Sequence, residues 1–200
     1  MEQLIISISR EYGSGGQAIA SALAEEFGLP LFDKAMLDRR DREQGFDAAA
    51  LERYDEEPRN FFTSRRVRGL SNSPEENVAR MQFAVLREQA EAGKSFVVLG
   101  RCGEEVLRDV PGLISIFVQA DIGFRKERVL KEYQIPEDQV LEKMADMDRR
   151  RRYYHNQYCR GKWGEIQNYD LCINTAALGM EGTIEFLKEY VRCRRKWQQA

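Results

Sequence analysis

The feature that most constrains this chain is Gly13-Ser14-Gly15-Gly16. It stands between the apolar, β-branched run Leu4-Ile5-Ile6-Ser7-Ile8-Ser9 and a stretch where Ile19, Leu23 and Phe27 recur at helical spacing, with Ala20 and Ala24 beside them. A short apolar run bounded by glycines reads as a buried strand. The helical pattern should stop at Gly28, with Pro30 just beyond it. Leu31-Phe32 then forms a short second strand that ends at Asp33. Strand, glycine loop, helix and strand in that order open a parallel α/β sheet.

Glycines at such a junction let backbone N–H groups point inward, because no Cβ blocks close approach. With the positive end of the following helix they make a nest for an anion. Arg10, Gly13, Ser14, Gly15, Gly16 and Gln17 are therefore the candidates for holding a nucleotide's phosphates. The usual phosphate loop reads G-x-x-x-x-G-K-[ST]. Placing Gly15 at its second glycine puts Arg10 at the first, Gly16 at the lysine and Gln17 at the Ser/Thr. The lysine that reaches the β/γ-phosphates and the hydroxyl that ligates Mg²⁺ are thus absent. Arg10, Lys34 or an arginine further along can bring the missing charge. A rival reading takes Gly13-Ser14-Gly15-Gly16-Gln17-Ala18 as G-x-G-x-x-A with Asp33 on a ribose, the dinucleotide-binding pattern. It ranks second, because Arg10-Glu11-Tyr12 separates strand from glycines and because it leaves the arginine run near 150 without a task.

Phe96-Val97-Val98-Leu99, Leu113-Ile114-Ser115-Ile116-Phe117-Val118 and Leu171-Cys172-Ile173 are three more short apolar runs flanked by helical patterns, as central parallel strands are. Between about 34 and 92 the charges are dense and the apolar pattern is broken. Helices are expected there, with a mobile piece around 56 to 75. A clearer helix follows from Glu75 to Ala92, with Val78, Met81, Val85 and Leu86 on one face and Gly93 as its cap. Further helices are expected through Phe124, Val129 and Leu130, from about Pro136 to Tyr158, and from Glu181 to Trp197. Two hundred residues suffice for one α/β domain.

Net charge is −2, which argues against a nucleic-acid surface, and hydrophobic residues at 42% argue for a folded chain. Four cysteines without a C-x-x-C pair, and a single histidine, give no reason to expect a zinc site. The thiols read as reduced, which points to a cytoplasmic protein. No apolar run is long enough for a membrane span, and the start lacks the pattern of a signal peptide.

Arg101 follows a strand and a glycine, and so faces the crevice at the carboxyl edge of the sheet, where its planar fork suits a phosphate. A salt bridge to Glu104 or Glu105 is the plainer alternative. In Asp148-Arg149-Arg150-Arg151-Arg152-Tyr153-Tyr154, successive helical residues fan out by about 100°, so one or two arginines at most can face one ligand. Such a helix can act as a flap that neutralises charge on a moving phosphoryl group. Arg125 and Arg128, a helical turn apart, can touch phosphate or the flap. His155 reads as structural or solvated, and Trp163 and Tyr169 as anchors of a loop.

Taken together, Ile8-Ser9-Arg10-Glu11-Tyr12-Gly13-Ser14-Gly15-Gly16, Phe32-Asp33-Lys34, Leu99-Gly100-Arg101-Cys102, the arginine run with Tyr154 and Lys162-Trp163-Gly164, and Tyr169-Asp170-Leu171 resemble the bacterial cytidylate kinase-like family over nearly the whole chain. The resemblance implies a single P-loop kinase-like domain: a three-layer α/β/α sandwich on a five-stranded parallel sheet. It also implies a helical acceptor-binding insertion at about 34–92 and an arginine-rich lid at about 136–165. It puts ATP phosphates on Gly13 to Gln17, with Mg²⁺ bridging them and no protein ligand assigned. Arg101 would grip the acceptor phosphate, Asp33 and Lys34 would sit where acceptor recognition begins, and Arg151 would be the lid arginine, with Arg149 and Arg152 as alternates. The implied activity is phosphoryl transfer from ATP to CMP or a related small acceptor. A nucleotide-binding module that has lost transfer is the alternative. The 34–92 segment departs from true CMP kinases, so base specificity does not carry over, and oligomeric state stays open.

Overall fold

The computed structural model describes residues 3–43, 66–67, 70–71 and 73–198. Its centre is a five-stranded sheet built from β1 (Ile5–Arg10), β2 (Leu31–Phe32), β5 (Phe96–Leu99), β6 (Leu113–Gln119) and β7 (Leu171–Asn174). These lie in the order β2-β5-β1-β6-β7, and every pairing is parallel. A small antiparallel pair, β3 (Arg66–Val67) with β4 (Leu70–Ser71), stands apart from it.

The order decides between the two readings of the glycine loop. In a dinucleotide-binding sheet the second strand pairs with the first. Here β2 pairs with β5 and never touches β1, so Asp33 lies two strands away from the strand that feeds the glycines. β1 is flanked by strands that arrive later on either side, which opens a crevice at its carboxyl end.

Alternation along the strands builds two cores. Ile6, Ile8, Val97, Leu99, Ile114, Ile116 and Val118 pack against Ile19 and Leu23 of α1 (Gly16–Glu26) and Leu187 and Val191 of α7 (Thr175–Gln198). Ile5, Phe96 and Val98 face the other way, onto Leu37 of α2 (Lys34–Glu43), Leu86 of α3 (Pro74–Glu91) and Leu107, just after α4 (Gly103–Val106). Each of these fully buried side chains contributes roughly 1.5–3 kcal/mol. The odd-numbered face of β1 breaks its apolar pattern at Ser7 and Ser9, which are buried and turned toward Glu104.

α5 (Ile122–Tyr133) and α6 (Val140–Tyr158) complete the layers, and α6 carries the arginine run. α3 begins as its sequence suggests: Ser73 accepts the Glu76 N–H at 3.4 Å and Pro74 takes the first turn. Its buried face is rotated from the expected one. Ala79, Phe83, Leu86 and Ala90 are buried, whereas Val78 and Met81 are only half-buried. α7 was expected from about 181. It starts at Thr175 and is interrupted at Gly179, whose φ of 67° and ψ of 177° no helix contains. Most of the 56–75 piece expected to be mobile lies outside the described residues. No described helix is long and apolar enough to cross a membrane.

Candidate functional site

At the end of β1 the chain turns through Tyr12 to Gly15 before α1 begins. Gly13 and Gly15 have φ of 82° and 90°, values glycine adopts without strain. The turn is held by groups facing away from its mouth. Glu11 N–H donates to Val118 O at 3.0 Å, and the buried Ser14 hydroxyl lies 2.9 Å from Glu11 O and 3.0 Å from Val118 O. Thr175 Oγ1 donates to Ser14 O at 2.9 Å, and Tyr12 N–H donates to Asp148 Oδ1 at 2.7 Å. Among the described residues no carbonyl or side chain takes up the N–H groups of Gly13, Gly15, Gly16 or Gln17. Ser14 N–H, with Glu11 O at 3.3 Å, is the weakly committed member.

A cavity of about 360 Å³ opens over these amides, lined by Gly13 and Gly15 to Ala18 with Arg10, Arg128 and Arg151 around it. Both edges of the nest need glycine. A Cβ on Gly16 would stand 2.6 Å from Arg10 Cβ, and one on Gly13 2.7 Å from Val129 Cγ2. A Cβ on Gly15 would run into the Met180 sulfur. Arg128 pairs with Glu132 at 2.5 Å, and its buried Nε has no acceptor among the described residues. The arrangement fits a phosphate chain: uncommitted amides, a helix start, and three arginines, one of them with a guanidinium nitrogen that has no acceptor among the described residues. Tyr12 stacks near Tyr133, and burial together with that neighbour pushes its pKa up against the pull of Arg151, so it stays a neutral phenol.

The arginine run separates cleanly. Arg149 and Arg150 both turn back to Asp146, at 2.8 and 2.9 Å. Arg152 lies over the Trp163 ring at 5.4 Å. Arg151 alone of the run lines the cavity; its Nη1 donates to Arg10 O at 3.3 Å and its guanidinium sits 5.5 Å from the Tyr12 ring centre. Arg125, expected to touch phosphate or the flap, meets the flap helix and does not line the cavity. It is buried, pairs with Asp148 at 2.5 Å and Glu11 at 2.9 Å, and donates from Nε to Tyr12 O at 2.8 Å. It clamps the glycine turn to the arginine helix.

On the other side of β1, Gly100, Arg101 and Cys102 have φ of 73°, 58° and 52° in succession. Left-handed backbone at two non-glycine residues stores about 1–3 kcal/mol each, which only a constrained turn retains. A Cβ on Gly100 would meet the Arg10 guanidinium, so that glycine admits Arg10 across from β1 to the end of β5. Arg101 is buried. Glu104 and Glu105, its alternative partners, are engaged elsewhere: Glu104 with His155, Ser7 and Ser9, and Glu105 with Arg108 and Arg160. Asp33 caps α2 by accepting Met36 N–H at 2.9 Å, and its second oxygen faces Gln17 Nε2 at 3.4 Å, linking the nest to the segment that Lys34 begins.

His155 is buried against Glu104, its Nε2 2.8 Å from Oε1. Burial works against its charge, but the contacts with Cys159 and Glu104 outweigh that and its pKa is pushed up to about 10. Contact with Cys102, opposed by burial and helped by His155, lowers the Cys159 thiol. Trp163 and Tyr169 pack on Phe117 with ring centres 5.3 and 5.0 Å away, which anchors the loop they flank.

A profile described as the cytidylate kinase-like family matches residues 5–177, which span every site residue above. The chain belongs to the cytidylate kinase-like family. Among its relatives, a cytidylate kinase from Pyrococcus horikoshii is 26% identical over 189 residues, covering 94% of this chain and 88% of that one. A solved structure of an uncharacterized protein from Eubacterium ventriosum superposes at a TM-score of 0.76 with 32% identity, covering 95% of this chain and 99% of that one. Shikimate kinase from Bacteroides thetaiotaomicron shares the fold at a TM-score of 0.55 and 15% identity, covering 98% of this chain and 99% of its own. The cytidylate kinase-like chain therefore has a nucleotide kinase-like fold. Sequence reasoning placed Arg125 at phosphate or flap without its Asp148, Glu11 and Tyr12 partners, and missed the Thr175 and Asp148 supports of the turn. The pairing of Asp148 with Arg125 had no local signal, because 23 residues separate them.

Proposed function

We propose that the chain transfers the γ-phosphoryl group of ATP to CMP or a related small acceptor. The observation that carries this reading is the set of uncommitted amides at Gly13, Gly15, Gly16 and Gln17 beneath Arg10, Arg128 and Arg151. The amides hold the donor's phosphates, and Arg151, arriving on α6, neutralises charge that spreads onto the transferred group. An acceptor phosphate oxygen is already nucleophilic, so in-line attack needs position more than a general base. Arg101, just after β5, and Arg10, at the end of β1, orient that acceptor, with Asp33 and Lys34 at its entrance. Bound Mg²⁺ would neutralise charge on the donor phosphates, and Gln17 stands where the usual hydroxyl ligand would be. Such a reading places the chain in the cytoplasm with its nucleotide substrates.

Coupled ADP release with CMP, dCMP, UMP, AMP and GMP tests it. Turnover with at least one is expected; none at high enzyme concentration removes the kinase reading. Gly16 and Gln17 in place of lysine and hydroxyl favour a second reading, a nucleotide-binding module without transfer. Tight ATP binding with no ADP formed would select it.

A further inference from the structure

Behind the acceptor side of β1, three side chains of different chemistry converge. Glu104, His155 and Cys159 each offer one ligand atom, and these atoms all lie within 4.8 Å of one another. Glu104 and His155 are 7% and 4% exposed. His155 Nε2 lies 2.8 Å from Glu104 Oε1, an ion-pair contact when the imidazole is protonated, and among the described residues neither atom has another partner as close.

The surrounding bonds orient both groups toward the shared point. Glu104 Oε2 accepts from Ser9 and Ser7 hydroxyls at 3.2 and 3.4 Å, which leaves Oε1 facing His155. Asn156 Oδ1 accepts Trp163 N–H at 2.8 Å, and this fixes the amide so that its oxygen also faces His155 Nδ1 at 3.3 Å. Nδ1 then carries a hydrogen, and Nε2, which faces Glu104 Oε1, is the nitrogen that gives a lone pair once its proton leaves. Outer hydrogen bonds of this kind fix the tautomer and orientation of metal-binding histidines and carboxylates. The expectation from cysteine spacing was no zinc site, because the ligands come from separate parts of the chain and only folding brings Glu104 to the end of α6.

We propose that Glu104, His155 and Cys159 bind a zinc-type divalent ion. Thiolate, imidazole and carboxylate together match Zn²⁺, whereas Mg²⁺ takes oxygen ligands. The ion displaces the protons on Nε2 and on the thiol. The fourth position opens to a cavity of about 320 Å³ lined by these residues with Gly161, Gln167 and Asn168, which gives water access. The bound ion ties the last turn of the arginine helix to the turn that carries Arg101. It is independent of whether transfer occurs.

The test uses the full chain stripped of metal. Cobalt(II), a stand-in for zinc, should bind at one equivalent with a near-ultraviolet thiolate-to-cobalt band and intense visible bands of a four-coordinate ion. Zn²⁺ should erase these bands and raise the melting temperature, and Mg²⁺ should do neither. Cys159→Ser and His155→Ala should abolish the thiolate band or weaken binding at least tenfold. Cys193→Ala, which changes an exposed thiol elsewhere, should leave it unchanged. Ser9→Ala should weaken binding about 10–100-fold through the outer bond. A wild-type chain that shows no thiolate band with cobalt overturns the proposal, with no variant needed. So does cobalt or zinc binding that survives Cys159→Ser undiminished.

Discussion

Arg151 differs from Arg149, Arg150 and Arg152 by what each guanidinium touches, and function should divide the same way. Arg151→Ala should lower kcat about 10²–10³-fold, the usual cost of one lost electrostatic donor. Arg149→Ala, whose guanidinium faces Asp146 at the surface, should stay near wild type in the same ADP-release assay. Arg101→Ala should raise the acceptor KM by about 10–100-fold, as loss of a charged hydrogen bond does, and by more than Arg150→Ala. Equal effects would remove Arg101 from the acceptor site. Gly16→Ala should weaken ATP binding at least tenfold in calorimetry, because its Cβ would press on Arg10 Cβ at 2.6 Å, backbone-near atoms that cannot swing aside. At this scale the chain announced the nest glycines by type and position. By residue type the four consecutive arginines are equivalent; the family resemblance favours Arg151, and the docking of α6 shows why, since Arg149 and Arg150 turn to Asp146 and Arg152 to Trp163.

Elements are joined at this site by charge. Arg125 on α5 holds Asp148 on α6 and Glu11 and Tyr12 O of the glycine turn, so one side chain sets the spacing between nest and arginine helix. Removing one partner of a buried pair costs about 3–5 kcal/mol. Arg125→Leu should shift the urea midpoint accordingly and, where folded, bind ATP more weakly. Gly179 is a second joint. It breaks α7 so that Thr175 reaches Ser14 O while the later turns bury Leu187 and Val191. Its φ/ψ belongs almost only to glycine, so Gly179→Ala should cost about 1–3 kcal/mol in the same titration, although nothing lies within 4 Å of the added methyl. The strands and most helices were readable from apolar period and caps. The rotated face of α3 was not, because Ala79 and Phe83 are chosen by what Cys102 and Tyr154 leave open.

For the whole molecule, the nest predicts a linkage. ATP should raise the thermal midpoint in proportion to the logarithm of its concentration, adding about 2.7 kcal/mol at a hundredfold excess over Kd, and NAD at equal concentration should not. A matching rise with NAD would revive the reading that the β2-β5 pairing argues against. By itself the sequence determined the five strands, the glycine turn between the first of them and α1, and the kinase-like family, because these rest on local pattern and on motifs contiguous in the chain. Only the tertiary structure decided the sheet order, the partners that hold Arg149, Arg150 and Arg152 off the nest, the clamp role of Arg125 and the meeting of Glu104 with His155 and Cys159. Each of those depends on which distant segments share a face, and side-chain periodicity says that a face is buried without saying what buries it.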